Sequence, residues 1–264
     1  MPIRLALLIA LVAGGLALPR AADAAKVTAC TKVGTCYCVN DEQKPAIAGH
    51  VERLRGVLAV QRKAGKAIGY LSVPLSPAGG GNFDVNAEVA KSAKAAVEAR
   101  FGADYVYVLD PGATELAKGT GADYMLLWTS LLEGSDGLGE VDFVHFAGPQ
   151  DFARFFGFDG VNDMAKLDAF YDRRVAANPG FAKAVDGGLA KAAFRRYYGL
   201  RASAAVSRGA HDEWNIVRVI NERRRADART GPPGQVAVLF DGRPVAPAEM
   251  EAALSDCYAG RCAP

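Results

Sequence analysis

Three short apolar runs, Ala67–Val73, Tyr105–Leu109 and Phe143–Phe146, are each followed by a segment of helical periodicity. Runs of this length suit buried strands. Pro74 and Pro77 close the first, Gly79-Gly80-Gly81 marks a loop, and Asn86 is placed to cap a helix over Ala87–Phe101. Ala90, Ala93, Val97 and Phe101 share one face of that helix, and Gly102 stops it. The second run ends at Asp110-Pro111-Gly112, and Asp123–Leu132 reads as a helix before the glycine-rich stretch Gly134–Glu140. The third leads into Gly148-Pro149 and a short helix through Phe156, with proline at the first helical position. Repeated strand–helix alternation implies a parallel sheet with helices on its faces, an α/β fold of three layers, Rossmann-like. Ligands of such sheets bind at the carboxyl ends of the strands. That singles out the loops Ser72–Asn86, Asp110–Gly112 and Ala147–Asp151.

The flanks are mainly helical. Ile47, Val51, Leu54 and Leu58 recur at i, i+4, i+7 and i+11, a helix face ended by Gly65. Met164–Ala177, Phe181–Tyr198 and Ser203–Arg225 are amphipathic, and Arg223-Arg224-Arg225 places cations where the helix dipole favours them. Gln235–Phe240 is a last strand, and Gly231-Pro232-Pro233-Gly234 the one linker-like stretch. The expected organisation is an export signal over 1–24, a cysteine-bearing segment and helix over 25–65, an α/β core over 66–160, and a helical portion with a cysteine-bearing tail over 161–264 within the same domain. The 264 residues are 50% hydrophobic and 23% charged, which argues against disorder. A net charge of +2 gives no electrostatic case for binding nucleic acid or a membrane surface.

Arg4, the apolar run Leu5–Leu18 and Ala22-Asp23-Ala24 have the form of a secretory signal peptide cut near Ala24 or Ala25. The run is too short for the ~20 residues that span a bilayer. The expected location is periplasmic or secreted, with no stable membrane insertion after cleavage. An alternative is a lipoprotein, because Val27-Thr28-Ala29-Cys30 has lipobox form, although Arg20, Asp23 and Lys26 separate it from the apolar run. All five cysteines lie at the ends: Cys30, Cys36, Cys38, Cys257 and Cys262. In an exported chain they read as disulfides that tether the two termini, with one cysteine left over. A zinc site over Cys36, Cys38, Cys257 and Cys262 is the rival reading, with spacing unlike the common zinc knuckles. No metal and no cofactor is expected.

Phosphate-loop, dinucleotide, H-E-x-x-H and G-x-S-x-G signatures are absent. Tyr70-Leu71-x-x-Pro74-Leu75, then Asn82 and Asn86 opening a helix, then Val108-Leu109-Asp110-Pro111, form a recognisable series. Over residues 66–156 it resembles nucleoside 2-deoxyribosyltransferase-like proteins, which begin with a Y-[LI]-x-x-P strand, a loop, a helix and a strand ending near Asn/Asp-Pro. The resemblance implies attack of a carboxylate on the anomeric carbon of an N-glycoside while an acid helps the base leave. It points to Asp151 as nucleophile or ribose anchor, Tyr70 as orienter, Glu88 or Asp110 as acid, and Asn82 and Asn86 as substrate contacts. The chain departs from the family at Gly148-Pro149-Gln150-Asp151-Phe152: the family's nucleophilic glutamate stands one turn later, and export is unusual for the family.

His211-Asp212-Glu213-Trp214-Asn215 is the densest polar cluster. His211 and Asn215 share a helix face, which suits a ligand contact with His211 as general base. The structural alternative is that Gly209–Glu213 caps the helix start. The aromatic residues Trp128, Phe152, Phe155 and Phe156 read as core. Three functions follow: an exported enzyme acting on a nucleoside-like or other small glycoside, a non-catalytic periplasmic binding or scaffold protein, or a hydrolase using His211. A small polar molecule is the expected partner; oligomeric state is not legible.

Overall fold

The computed structural model describes residues 25–76, 80–184, 190–227 and 234–263. The predicted export signal and residues 231–233 of the linker-like stretch lie outside the described residues. The described residues open with a hairpin, β1 (Lys26–Cys30) and β2 (Cys36–Asn40), then α1 (Lys44–Lys63) and β3 (Ala67–Ser72). α2 (Phe83–Phe101), β4 (Val106–Leu109), α3 (Gly121–Glu133) and β5 (Phe143–Phe146) complete the expected alternation. Four helices follow: α4 (Pro149–Phe156), α5 (Asp163–Ala177), α6 (Phe181–Ala184) and α7 (Ala190–Leu200). α8 (Arg208–Ala226), β6 (Ala237–Phe240) and β7 (Arg243–Pro244) end the regular structure.

The sheet order is β4-β3-β5-β6-β7, with all pairs parallel except β6 and β7. Tyr70 pairs with Leu109 on one side and Val144 on the other, so the carboxyl ends of β3, β4 and β5 share one rim. Strand alternation sends Ile68 and Tyr70 into a core with α1, α3, α8 and the hairpin residues Tyr37 and Val39. Leu71 and Val73 face the opposite core, with α2, α4, α5 and α7. The result is the three-layer α/β fold expected from the alternation.

Close approach explains Gly69. A Cβ there would stand 2.3 Å from the ring of Phe143, its neighbour on β5. Gly69→Val is therefore expected to destabilise the protein by roughly 1–3 kcal/mol through overpacking. Urea unfolding should show that Phe143→Ala and Gly69→Val together cost less than the sum of the two alone.

Several local features differ from the sequence reading. Helix α2 starts a turn early: Asn82, not Asn86, is its cap and accepts from the Val85 N–H at 3.1 Å. Asn86 is instead buried under Tyr198, whose hydroxyl donates to it at 2.7 Å. Both asparagines suit a cap, and only the tertiary contact separates them. The helix expected over Phe181–Tyr198 is described as α6 and α7, with 185–189 outside the described residues.

Two disulfides are present. Cys30–Cys36 closes the hairpin, Cys38–Cys262 joins β2 to the C-terminal tail across 224 positions, and Cys257 is free. The tether between the ends is thus real, and it points to an oxidising, extracellular-type environment. The Cys30 sulfur is committed to a disulfide and is unavailable for a lipid thioether, which removes the lipoprotein alternative. The zinc alternative falls for the same reason, since Cys36, Cys38 and Cys262 are not thiolates. No described helix is long and apolar enough to cross a membrane.

Candidate active site

A cleft of about 500 Å³ opens at the carboxyl ends of β3 and β4. The loop after β3 supplies Val73–Ser76, and the turn after β4 supplies Pro111 and Thr114. Gly121, Tyr124, Met125 and Trp128 line it from α3 at i, i+3, i+4 and i+7, one helix face. Tyr197 and Arg201 enter from the end of α7, Arg208 and Glu213 from α8, and Asp256 and Tyr258 from the tail. Gly121 is needed for this closure, because a Cβ there would stand 2.5 Å from the Tyr258 ring. The third loop expected at the site, Ala147–Asp151, does not line the cleft; the start of α8 takes its place.

Glu213 is the chemical centre of the cleft. Ser207 caps α8, accepting from the Ala210 N–H at 3.4 Å. The buried stripe Ala210, Glu213, Val217 and Ile220 then faces the sheet at i, i+3, i+7 and i+10. This places a carboxyl, 5% exposed, against the end of β3. Tyr70 and Ser72 point to the same face of that strand. The fully buried Tyr70 hydroxyl donates to Glu213 Oε1, and the buried Ser72 hydroxyl lies against the same carboxyl. Trp128 backs Tyr70, ring centroids 6.1 Å apart.

Burial pushes the Glu213 carboxyl up to about 8; the Ser72 and Tyr70 hydroxyls work against the rise and Asp212 adds to it. Burial, then the Glu213 charge, lifts the Tyr70 phenol well above its ordinary range, so it remains a donor. At neutral pH the cleft therefore holds a largely neutral carboxylic acid, aligned by a phenol. Such an acid can hand a proton to a leaving group and recover it from water.

The structure disperses most of the residues singled out from sequence. Asp151 is buried in the first turn of α4, 2.9 Å from His145 Nε2, and accepts from the Gly148 N–H at 3.2 Å and from Arg154 at 2.9 Å. Burial raises its pKa, but the His145, Gly148 and Arg154 contacts outweigh this and hold the carboxyl below its usual range. Glu88 forms an ion pair with Arg174 on the far face of the sheet. Asp110 accepts from the Gly112 N–H at 2.8 Å, next to Pro111 of the cleft. Asn82 and Asn86 organise the start of α2 behind the loop after β3.

The polar cluster on α8 divides by helix face. His211 nitrogens lie 2.7 Å from the Asp256 carbonyl and 3.1 Å from that of Ala205. Asn215 exchanges two 2.8 Å bonds with the Leu254 backbone. Asp212 accepts from the Tyr258 N–H at 2.7 Å and the Ala259 N–H at 3.1 Å. These three fasten the tail, whereas Glu213 turns inward. Of the residues singled out, Tyr70 alone touches the central carboxyl. Glu213 enters the sequence reading only as a member of the His211 cluster and not as a central acid, although a glutamate interrupting an apolar helical stripe is the signal for that role. Asp151 and Tyr70, paired by the family resemblance, face opposite sides of the sheet, and the carboxyl that Tyr70 engages comes from α8 instead. No protein-family model, curated protein or solved structure matches the chain, so the chemistry of this cleft is what bears on function.

Proposed function

We propose that the protein is an exported hydrolase acting on a nucleoside-like or other small glycoside, with Glu213 as general acid and Tyr70 as its positioning residue. The observation that carries this reading is the buried, proton-bearing Glu213 carboxyl on the floor of a concave, aromatic-walled cleft at the strand ends. Tyr124 and, largely buried behind it, Trp128 give the lining an aromatic component that suits a sugar ring or a planar aglycone. Glu213 protonates the leaving group as the glycosidic bond breaks, and a water takes the anomeric carbon and returns its proton to the carboxylate. In this reading the nucleoside 2-deoxyribosyltransferase-like resemblance extends to the strand, loop, helix and strand series and to Tyr70, with the carboxyl relocated to α8. Residues 1–24 act as a cleaved export signal to the periplasm or beyond, in keeping with the two disulfides.

The test is a hydrolysis screen over nucleosides and aryl glycosides followed by a pH profile. Activity should be carried by the protonated acid, so log kcat/KM stays level below the Glu213 pKa of about 8 and falls with unit slope above it. A profile that rises through pH 8 assigns a different role to Glu213. The second reading, a non-catalytic binding protein, is favoured by one observation: the cleft lining holds Glu213 and Asp256 as its carboxyls, and Asp256 is paired with Arg208 at 3.2 Å. Ligand binding without turnover anywhere in the screen supports it.

A further inference from the structure

We propose that Tyr197 and Arg201 form a seat for an anionic substituent, a carboxylate or a phosphate, on the ligand of the cleft. The inference rests on the cleft being the ligand site proposed above. Both residues line it. They stand four apart, and the Arg201 N–H donates to the Tyr197 carbonyl at 2.8 Å, so the helical turn continues and both side chains leave on one side.

The charges of the cleft are unequal. Arg208 is neutralised by Asp256 at 3.2 Å and lies over the Tyr258 ring, 4.4 Å from its centroid. Glu213 is largely neutral below pH 8. Arg201 has no ion pair and no side-chain hydrogen bond among the described residues. Among the described residues that line the cleft, Arg201 is therefore the one cation without an ion pair. Burial raises the Tyr197 phenol to about 12 against a side-chain hydrogen bond with Asn86 and the positive charge of Arg201, so the hydroxyl keeps its proton within reach of that charge. A guanidinium fork with an adjacent hydroxyl matches two oxygens of a carboxylate or phosphate, and concave low-dielectric walls strengthen the attraction.

The experiment is calorimetric titration of the full chain carrying Glu213→Gln, which separates binding from turnover. The ligands are a nucleoside, its 5′-carboxylate and its 5′-phosphate, an aryl glucoside and the matching glucuronide, and, as probes of the seat alone, benzoate and inorganic phosphate. Each anionic ligand should bind at least about tenfold tighter than its neutral parent. Arg201→Gln should bring the pair within twofold and leave the neutral parent unchanged, with Arg201→Lys in between. The larger of the carboxylate and phosphate ratios names the natural group. Equal affinity for neutral and anionic members, or a preference that survives Arg201→Gln, overturns the seat. In the hydrolysis screen of the native chain, turnover of glycosides while the titrations show no anionic preference would sink the seat and leave the hydrolase standing. Arg201-dependent binding of benzoate or phosphate, with no glycoside turned over by the native chain, does the reverse.

Discussion

Glu213→Gln should lower hydrolytic turnover by about 10²–10⁴-fold, the usual contribution of a positioned general acid. The same substitution should raise stability at alkaline pH. The amide keeps the acceptor for Tyr70 and the shape of the side chain but cannot ionise. In the native protein the carboxyl titrates near 8, against an ordinary value of 4.5. The folded state therefore holds a proton that the unfolded chain releases over that interval. Its stabilising effect is complete below about pH 4.5, is lost progressively up to pH 8 and is flat beyond. At about 1.4 kcal/mol per unit, the difference between the two proteins across the window is a few kcal/mol. Thermal unfolding at pH 5, 6.5 and 8 should show the variant gaining on the native protein at each step. Other buried acids, such as Asp212, are common to both and cancel. Parallel curves from pH 5 to 8 would mean that Glu213 ionises normally, and the general-acid assignment would go with that result.

Cutting the Cys38–Cys262 bridge, by Cys38→Ser with Cys262→Ser, is expected to cost 2–5 kcal/mol. For a protein of this size that lowers Tm by roughly 5–20 °C. The bridge closes a loop of 224 positions, for which chain entropy predicts about 5 kcal/mol. The Cys30–Cys36 bridge spans 6, and the same relation predicts about 2 kcal/mol. The pair of double mutants is therefore an internal control, and equal losses would show that loop closure is not what stabilises the chain. A second consequence is local. The tail carries Asp256 and Tyr258 into the cleft wall, and beyond the bridge it is held by Asp212, Asn215 and the Arg208 contact with the Cys257 carbonyl. Losing the bridge should weaken ligand binding even at temperatures where the domain stays folded.

The sheet was legible because its signals are local. Residues 67–73, 105–109 and 143–146 are short, mainly apolar and followed closely by proline or glycine, and the helices between them carry a 3.6-residue stripe. Parallel pairing then follows from chain geometry, and so does the shared rim of strand ends. The cysteine distribution likewise announced a tether between the termini, though not its partners. The hairpin β1–β2 was not legible. Its strands are short and half polar, and Asn40 joins the fold by donating from its backbone and side chain to the buried Asp123 at 2.9 and 3.0 Å. No periodicity encodes a contact across 83 positions.

Sequence alone settled the α/β class, because the alternation of strands and helices depends on patterns within one or two turns of chain, and the shared rim of strand ends follows from parallel pairing. Tertiary structure decided which carboxyl meets the Tyr70 phenol. Asp151 and Glu213 are both acids near helix starts, and what separates them is the face of the sheet on which each helix packs. Glu213 lies 143 positions from Tyr70, and only the crossover of α8 to the α3 side of the sheet, away from water, turns an ordinary glutamate into a proton-bearing acid.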